Sequence, residues 1–241
     1  VGSDLYAVVW EGGGVYKSAD NGFTWTDVTP ESSSNFLPDE LGAVHFTGTN
    51  LLVAINGEIF VSGDNGSSWQ VSNFGSVVTS FSKNVFAFTE HNGVTIAGSN
   101  GSGMYISSDD GLTWTASSSG LPTPFATVWN LVSDGTVLLA GIGGSSNGLY
   151  RSDDDGASWQ IVSSGIPTDN YPRAITKAGV NYLVSFPGTG IFLSTDLTSW
   201  TNVHGPGPIT NQAFILPFGA QGSRLFAAVE ASGYLFISED D

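Results

Sequence analysis

Six copies of one short phrase divide this chain of 241 residues into near-equal parts. The phrase reads Ser18-Ala19-Asp20-Asn21-Gly22-Phe23-Thr24-Trp25, then Ser62 to Trp69, Ser107 to Trp114 and Ser152 to Trp159. A shortened copy runs from Ser194 to Trp200, and the sixth is Ser238-Glu239-Asp240-Asp241. The aspartates, Asp20, Asp64, Asp109, Asp154, Asp196 and Asp240, follow one another at steps of 44, 45, 45, 42 and 44 residues. A period of that length belongs to propellers and solenoids, in which one unit cannot bury its apolar face alone and stacks on the next.

Within each period lie four short β-compatible runs joined by brief Gly/Asn connections that suit antiparallel hairpins. The second repeat gives Ala43–Thr47, Leu51–Ile55, Glu58–Ser62 and Ser68–Ser72, here called strands A to D. The fourth gives Thr127–Ser133, Val137–Gly141, Gly148–Ser152 and Ser158–Val162. No segment sustains a 3.6-residue apolar period, so no helix longer than about two turns is expected. Four-stranded meanders repeated about an axis make a β-propeller, where sheet twist closes the ring and leaves only short edges. The expected fold is all-β: a β-propeller of four-stranded antiparallel blades, six-bladed or six blades of a seven-bladed parent. One domain would span 1–241, with repeats at about 1–30, 31–74, 75–119, 120–165, 166–204 and 205–241.

Composition fits such a domain. Residues are 40% apolar and 12% aromatic, enough for a core, and the 32 glycines supply turns. The absence of cysteine excludes disulfides and thiolate metal sites. Six Lys+Arg against 22 Asp+Glu leave a net charge of −16. That charge repels phosphate backbones and anionic membrane surfaces within a Debye length of about 8 Å, so no nucleic-acid partner is expected. No apolar run approaches the roughly 18 residues of a spanning helix, and no membrane insertion is expected. Val1-Gly2-Ser3-Asp4 carries no leader pattern, so any signal peptide would be removed or lie upstream. The Ser/Gly/Asn/Thr-rich, lysine-poor composition points to a secreted or cell-surface protein of bacterial type.

The phrase has a local chemistry. Its serine and aspartate can accept backbone N–H groups inside a turn, its glycine supplies positive φ, and its tryptophan starts strand D and folds over the hairpin. Five of the seven tryptophans hold this position: Trp25, Trp69, Trp114, Trp159 and Trp200. The pattern S-x-D-x-G-x-[ST]-W resembles the Asp-box, or BNR, repeat of sialidases, sortilin-type ectodomains, xyloglucanases and a photosystem assembly factor. The resemblance covers essentially the whole chain. It implies a β-propeller, and it spans unrelated functions. Asp20, Asp64, Asp109, Asp154, Asp196 and Asp240 are therefore read as structural, with no metal and no cofactor. Asp153-Asp154-Asp155-Gly156 looks like a calcium loop but lacks the distal bidentate acid. The fifth copy is one residue short and lacks the glycine, so its hairpin should be differently turned and Trp200 should matter less to stability.

Propeller ligands usually meet the face formed by the D–A and B–C connections, an expectation the resemblance supplies. Here the D–A segments are long and varied, and they hold the candidate ligand-binding residues Phe36, Phe74, Phe125, Tyr171, Arg173 and His204. Aromatic and hydroxyl-rich rims suit stacking on sugars or gripping a peptide; the alternative is that these rings plug the gaps between blades. A sialidase-like reading needs three converging arginines, but Arg151 precedes a turn phrase, Arg224 opens a B strand, and only Arg173 falls near the start of an A strand. His45, His91 and His204 show no metal-ligand spacing and read as surface or turn residues. The sequence thus favours a binding or scaffold propeller with a glycan or protein ligand. A glycoside hydrolase or its remnant would need facing carboxylates among Glu31, Asp39, Glu40, Asp169 and Glu230. A third reading is an assembly factor. The first repeat lacks strand A and the sixth lacks strand D, so at this seam either the natural chain continues or a neighbouring chain donates a strand.

Overall fold

The computed structural model describes residues 4–9, 14–31, 42–78, 83–122, 126–144, 147–203, 219–221, 224–229 and 234–238, the last three segments as backbone only. The chain divides into two compact units, Val1–Ser118 and Ser119–Asp241. In each, among the described residues, short strands pair with their neighbours in sequence.

The first unit holds three sheets. One is β1 (Leu5–Val8), β2 (Val15–Ser18) and β3 (Thr26–Asp27). The next is β4 (Ala43–Phe46), β5 (Leu51–Ile55), β6 (Glu58–Ser62) and β7 (Gln70–Val71). After the single-turn helix α1 (Phe74–Val77) comes β8 (Val85–His91), β9 (Val94–Ser99), β10 (Met104–Ser107) and β11 (Thr115–Ala116). The second unit repeats the plan with β12 (Thr127–Ser133), β13 (Leu138–Gly143), β14 (Gly148–Ser152) and β15 (Gln160–Val162). It continues with β16 (Ala174–Ala178), β17 (Asn181–Phe186), β18 (Gly190–Ser194) and β19 (Thr201–Asn202), then β20 (Gly219–Gln221), β21 (Arg224–Val229) and β22 (Tyr234–Ser238). All pairings are antiparallel, as the meander reading expected.

Strand D is shorter than its sequence suggested. Ser68–Ser72 and Ser158–Val162 shrink to Gln70–Val71 and Gln160–Val162 because the serine and tryptophan at their start belong to the turn. Ser68 N, for example, donates to Asp64 Oδ1 at 2.8 Å instead of joining the ladder.

The B strands explain the core. Residues Leu51–Ile55 and Leu138–Gly143 are buried throughout, so their apolar runs do not alternate, and both faces of Leu51–Ile55 are covered by adjoining sheets. Between the first two sheets pack Val15, Leu51, Val53, Ile55 and Phe60, with Tyr6 and Trp69 against them. Between the second and third lie Leu52, Ile59, Val61, Phe74, Tyr105 and Trp114. In the second unit Leu139, Leu149, Val184, Phe186, Phe192 and Trp200 form the matching layer.

Candidate functional site

The turn carboxylates are consumed by their own hairpins. Asp20 Oδ1 accepts Thr24 N at 2.8 Å and the Ser18 hydroxyl at 2.8 Å, and Oδ2 accepts the Thr24 hydroxyl at 2.5 Å. Ser18 Oγ in turn accepts Gly22 N at 2.8 Å. The same pattern recurs at Asp64, Asp109 and Asp154. Two successive residues take positive φ, Asn21 at 59° and Gly22 at 90° in the first turn. In the shortened fifth turn Leu197 alone does so, at 60°. Its N–H takes the bond to Ser194 Oγ at 2.8 Å, and Asp196 Oδ1 accepts Thr198 N and Ser199 N at 2.9 Å each. That hairpin is differently turned, as its missing residue implied. Asp240 lies outside the described residues.

Hydrogen bonding keeps these groups ionised. The Thr24 side chain and backbone, then Ser18, hold the Asp20 carboxyl at about 2 instead of the usual 3.8. Ser68 does so for Asp64, also to about 2, and the Ser199 and Thr198 backbones do so for Asp196, again to about 2. Ser158 lowers Asp154. Burial pushes Asp109 up, but the bonds from Thr113 and Ser107 outweigh it. Among the described residues no group of three or more His, Asp or Glu side chains comes together that could hold a metal ion.

The tryptophans that close these turns differ. Trp25 is 44% exposed, while Trp114, Trp159 and Trp200 are at 0%, 2% and 5%. Burial comes from the segment that leaves strand D of the preceding sheet. In the first unit Asn73 Oδ1 accepts Trp114 N at 2.7 Å. In the second, Ser119 O accepts Trp159 N at 2.9 Å, and a Cβ on Gly120 would run into the Trp159 carbonyl. Gly165 meets the Trp200 carbonyl in the same way.

Of the candidate ligand residues, Phe36, Phe125 and His204 lie outside the described residues. Phe74 is a correction: it is fully buried on α1, edge-to-face with Tyr105 at 5.0 Å and Trp114 at 6.0 Å, and so it plugs the space between two sheets. His91 is also no surface residue, at 2% exposure, and His45 Nε2 lies 3.2 Å from Glu90 Oε1. Tyr171 and Arg173, by contrast, come together with a residue the sequence reading passed over.

That residue is Trp129. On β12, Val128 pairs with Ile142 and Asn130 with Gly141, so Trp129 is the extra residue of a bulge, a device that re-aims a side chain. The opposite strand makes room for it. A Cβ on Gly143 would lie 2.5 Å from Trp129 Nε1, and one on Gly141 2.5 Å from Asn130 Oδ1. The indole stacks on Tyr171 with centroids 5.9 Å apart and planes at 29°. The Arg173 guanidinium carbon sits 5.5 Å from the Trp129 centroid and 5.8 Å from that of Tyr171, within cation–π range. Three bonds brace this connection: Asn130 Nδ2 to Pro172 O at 3.2 Å, Arg173 N to Ser185 O at 2.9 Å, and Asn170 Nδ2 to Pro187 O at 2.7 Å. Asn147 Nδ2, from the B–C connection, reaches Asp169 O at 3.3 Å. All three clustered side chains are half-buried. One signal could have flagged Trp129: it is one of two tryptophans outside the repeated turn position.

No family model matches the chain, and no curated protein matches it. Among solved structures it is similar to the GH74 xyloglucanase from Xanthomonas campestris, at 17% identity and a TM-score of 0.71. That match covers 96% of this chain and 41% of the xyloglucanase. The extracellular domain of a one component system from B. thetaiotaomicron is matched at 11% identity and a TM-score of 0.68, over 94% of this chain and 31% of that one. YCF48 from Cyanidioschyzon merolae is matched at 15% identity and a TM-score of 0.66, over 98% and 77%; a structure of YCF48 bound to D1 peptide matches at 14% identity and 0.63, over 96% and 73%. The chain thus spans about two fifths or less of the enzyme and sensor it resembles. The shared fold is the β-propeller.

Proposed function

We propose that this chain is a single Asp-box propeller domain, secreted or displayed at a cell surface, that binds a glycan or polypeptide ligand without chemically altering it. One observation carries the reading: the Trp129–Tyr171–Arg173 cluster, where a bulge, two strand glycines and a braced D–A connection hold two aromatic rings and a cation together. Half-buried rings offer stacking area with little side-chain entropy to lose, and amide side chains around them supply oriented hydrogen bonds. Xyloglucanase and peptide-bound YCF48, which share the fold at low identity, fit a role that lies in the connections and not in the scaffold. An extracellular sensor domain among the similar structures supports the location.

Screening the purified chain on glycan and peptide arrays, with Trp129→Ala beside it, tests the reading. A ligand retained by the parent should bind at least about tenfold more weakly to Trp129→Ala, with a melting temperature within a few degrees of the parent. Equal binding by the two proteins, or no ligand on either array, would reject it.

A further inference from the structure

An opening lies in the first unit. It is a cleft of about 790 Å³ lined by Asp27, Thr29 and Glu31 at the exit of β3 and by Ser67, Ser68 and Trp69 of the following turn. Its origin can be read from the repeat. The sixth residue after Trp69, Trp114 and Trp159 is Gly75, Gly120 and Gly165, but after Trp25 it is Glu31. Gly120 and Gly165 press against the next tryptophan's carbonyl at φ of 82° and 79°, an approach that leaves no space for a Cβ. Glu31 has a Cβ and cannot make it. Trp69 is correspondingly left half-buried, where Trp159 and Trp200 are covered; Trp114 is buried another way, with Asn73 on its backbone and Phe74 against its ring.

The polar groups at this cleft have spent their donors. Thr29 Oγ1 donates to Asp27 Oδ1 at 2.5 Å, Ser67 Oγ to Asp64 O at 3.0 Å, and Ser68 Oγ to Asp64 Oδ2 at 2.6 Å. Trp69 Nε1 donates to Val28 O at 2.9 Å. The lining thus offers an indole and a set of acceptors, the hydroxyls of Thr29, Ser67 and Ser68 and the carboxylates of Asp27 and Glu31, with Thr29 Oγ1 also accepting Val15 N and Asp27 Oδ1 also accepting Thr29 N, each at 2.9 Å. We infer that this cleft is a binding site for a neutral sugar ring. An apolar ligand would strip water from acceptors and return nothing. Anionic sugars and phosphates would meet Asp27 and Glu31. A single ammonium would leave most of these acceptors without donors, whereas a ring with an apolar C–H face and several hydroxyls matches both the indole and the acceptors. A volume of this size lies in the ordinary range for small-ligand sites.

Ser67 is the place to test it, because large side chains already occupy the equivalent position in other turns: Phe23 at 87% exposure and Leu112 at 36%. Ser67→Arg should fold and block the cleft. Ala157→Arg, the same position in the fourth turn, is its control. The full chain is titrated with β-1,4-linked tetrasaccharides of glucose, mannose and N-acetylglucosamine, with a galacturonate tetramer and with an oligolysine peptide. The readout is the indole N–H resonance of Trp69, assigned by its loss in Trp69→Phe. At least one neutral tetrasaccharide should shift it saturably; affinity should fall tenfold or more in Ser67→Arg and stay unchanged in Ala157→Arg and in Trp129→Ala. A Trp69 resonance moved by none of the neutral sugars, one moved only by oligolysine or galacturonate, or a response that survives Ser67→Arg would overturn the assignment. Because Trp129→Ala leaves this readout intact, failure here is distinguishable from failure of the proposed function.

Discussion

Tryptophan in the repeated turn is one residue type in several environments, and environment sets its energetic weight. Trp114 is fully buried, with Nε1 donating to Gly111 O at 2.9 Å; Trp25 makes the same kind of bond to Gly22 O at 3.1 Å but is 44% exposed. Trp114→Ala should therefore destabilise by about 3 to 5 kcal/mol in denaturant melts, through lost burial and the cavity left behind. Trp25→Ala should stay near 1 kcal/mol or below. The shortened fifth turn suggested a lesser role for Trp200, and burial corrects that: at 5% exposure it sits among Leu149, Phe186 and Phe192. Trp200→Ala should also fall in the range of about 3 to 5 kcal/mol. A Trp200 variant that melts like the Trp25 variant would show that turn length outweighs burial. The turn itself was legible because its bonds link residues two to four apart, and sequence displays such spacings directly. How deeply each indole is covered was not, since the covering segment lies about 40 residues upstream in the preceding repeat.

At the level of elements, two glycine-dependent joints deserve separating by experiment. Gly120 and Gly135 both take positive φ, 82° and 87°, but a Cβ on Gly120 would strike the Trp159 carbonyl while one on Gly135 would meet nothing within 4 Å. Gly135→Ala should thus cost only the left-handed penalty of about 1 to 2 kcal/mol. Gly120→Ala adds displacement of a backbone that buries Trp159, and should cost about 3 kcal/mol or more. Equal melts for the two would remove the close approach from the account. At Gly143 the obstacle is a side chain: its Cβ would lie 2.5 Å from Trp129 Nε1. Gly143→Ala should push the indole off Tyr171 and weaken the array ligand about tenfold, with a smaller effect on melting than Gly120→Ala. The strands were readable from alternating turns and apolar runs. The bulge was not, because register belongs to two strands at once, and neither β12 nor β13 alone says that Trp129 is the extra residue. Phe74 was misplaced for a related reason: a four-residue helix inside a connection turned an aromatic expected at the rim into core.

For the molecule as a whole, charge and the turn carboxylates separate two responses to acid. The sequence pI is about 4.1, so the net charge of −16 at neutral pH vanishes near pH 4. Electrostatic repulsion between molecules is lost there, and solubility should pass through a minimum. Folding stability should follow a different course. The carboxyls of Asp20, Asp64 and Asp196 are lowered from 3.8 to about 2 by hydrogen bonds that exist only in the folded turns. A group whose folded value lies below its unfolded one stabilises the fold fully above the unfolded value and loses that contribution as pH falls through the folded one. The turns should thus hold at pH 4 and weaken progressively between about pH 4 and pH 2. Acidification should first give reversible precipitation of native protein near pH 4, with the melting temperature little changed just above it, and then unfolding toward pH 2. Asp64→Asn, which removes the titrating group from one turn, should lower stability at pH 7 and flatten the decline below pH 4. Near-ultraviolet circular dichroism and melting curves from pH 7 to pH 2 would follow both stages. A melting temperature that collapses well above pH 4, or one that is level from pH 4 to pH 2, would mean that the turn carboxylates do not set the acid limit of this fold.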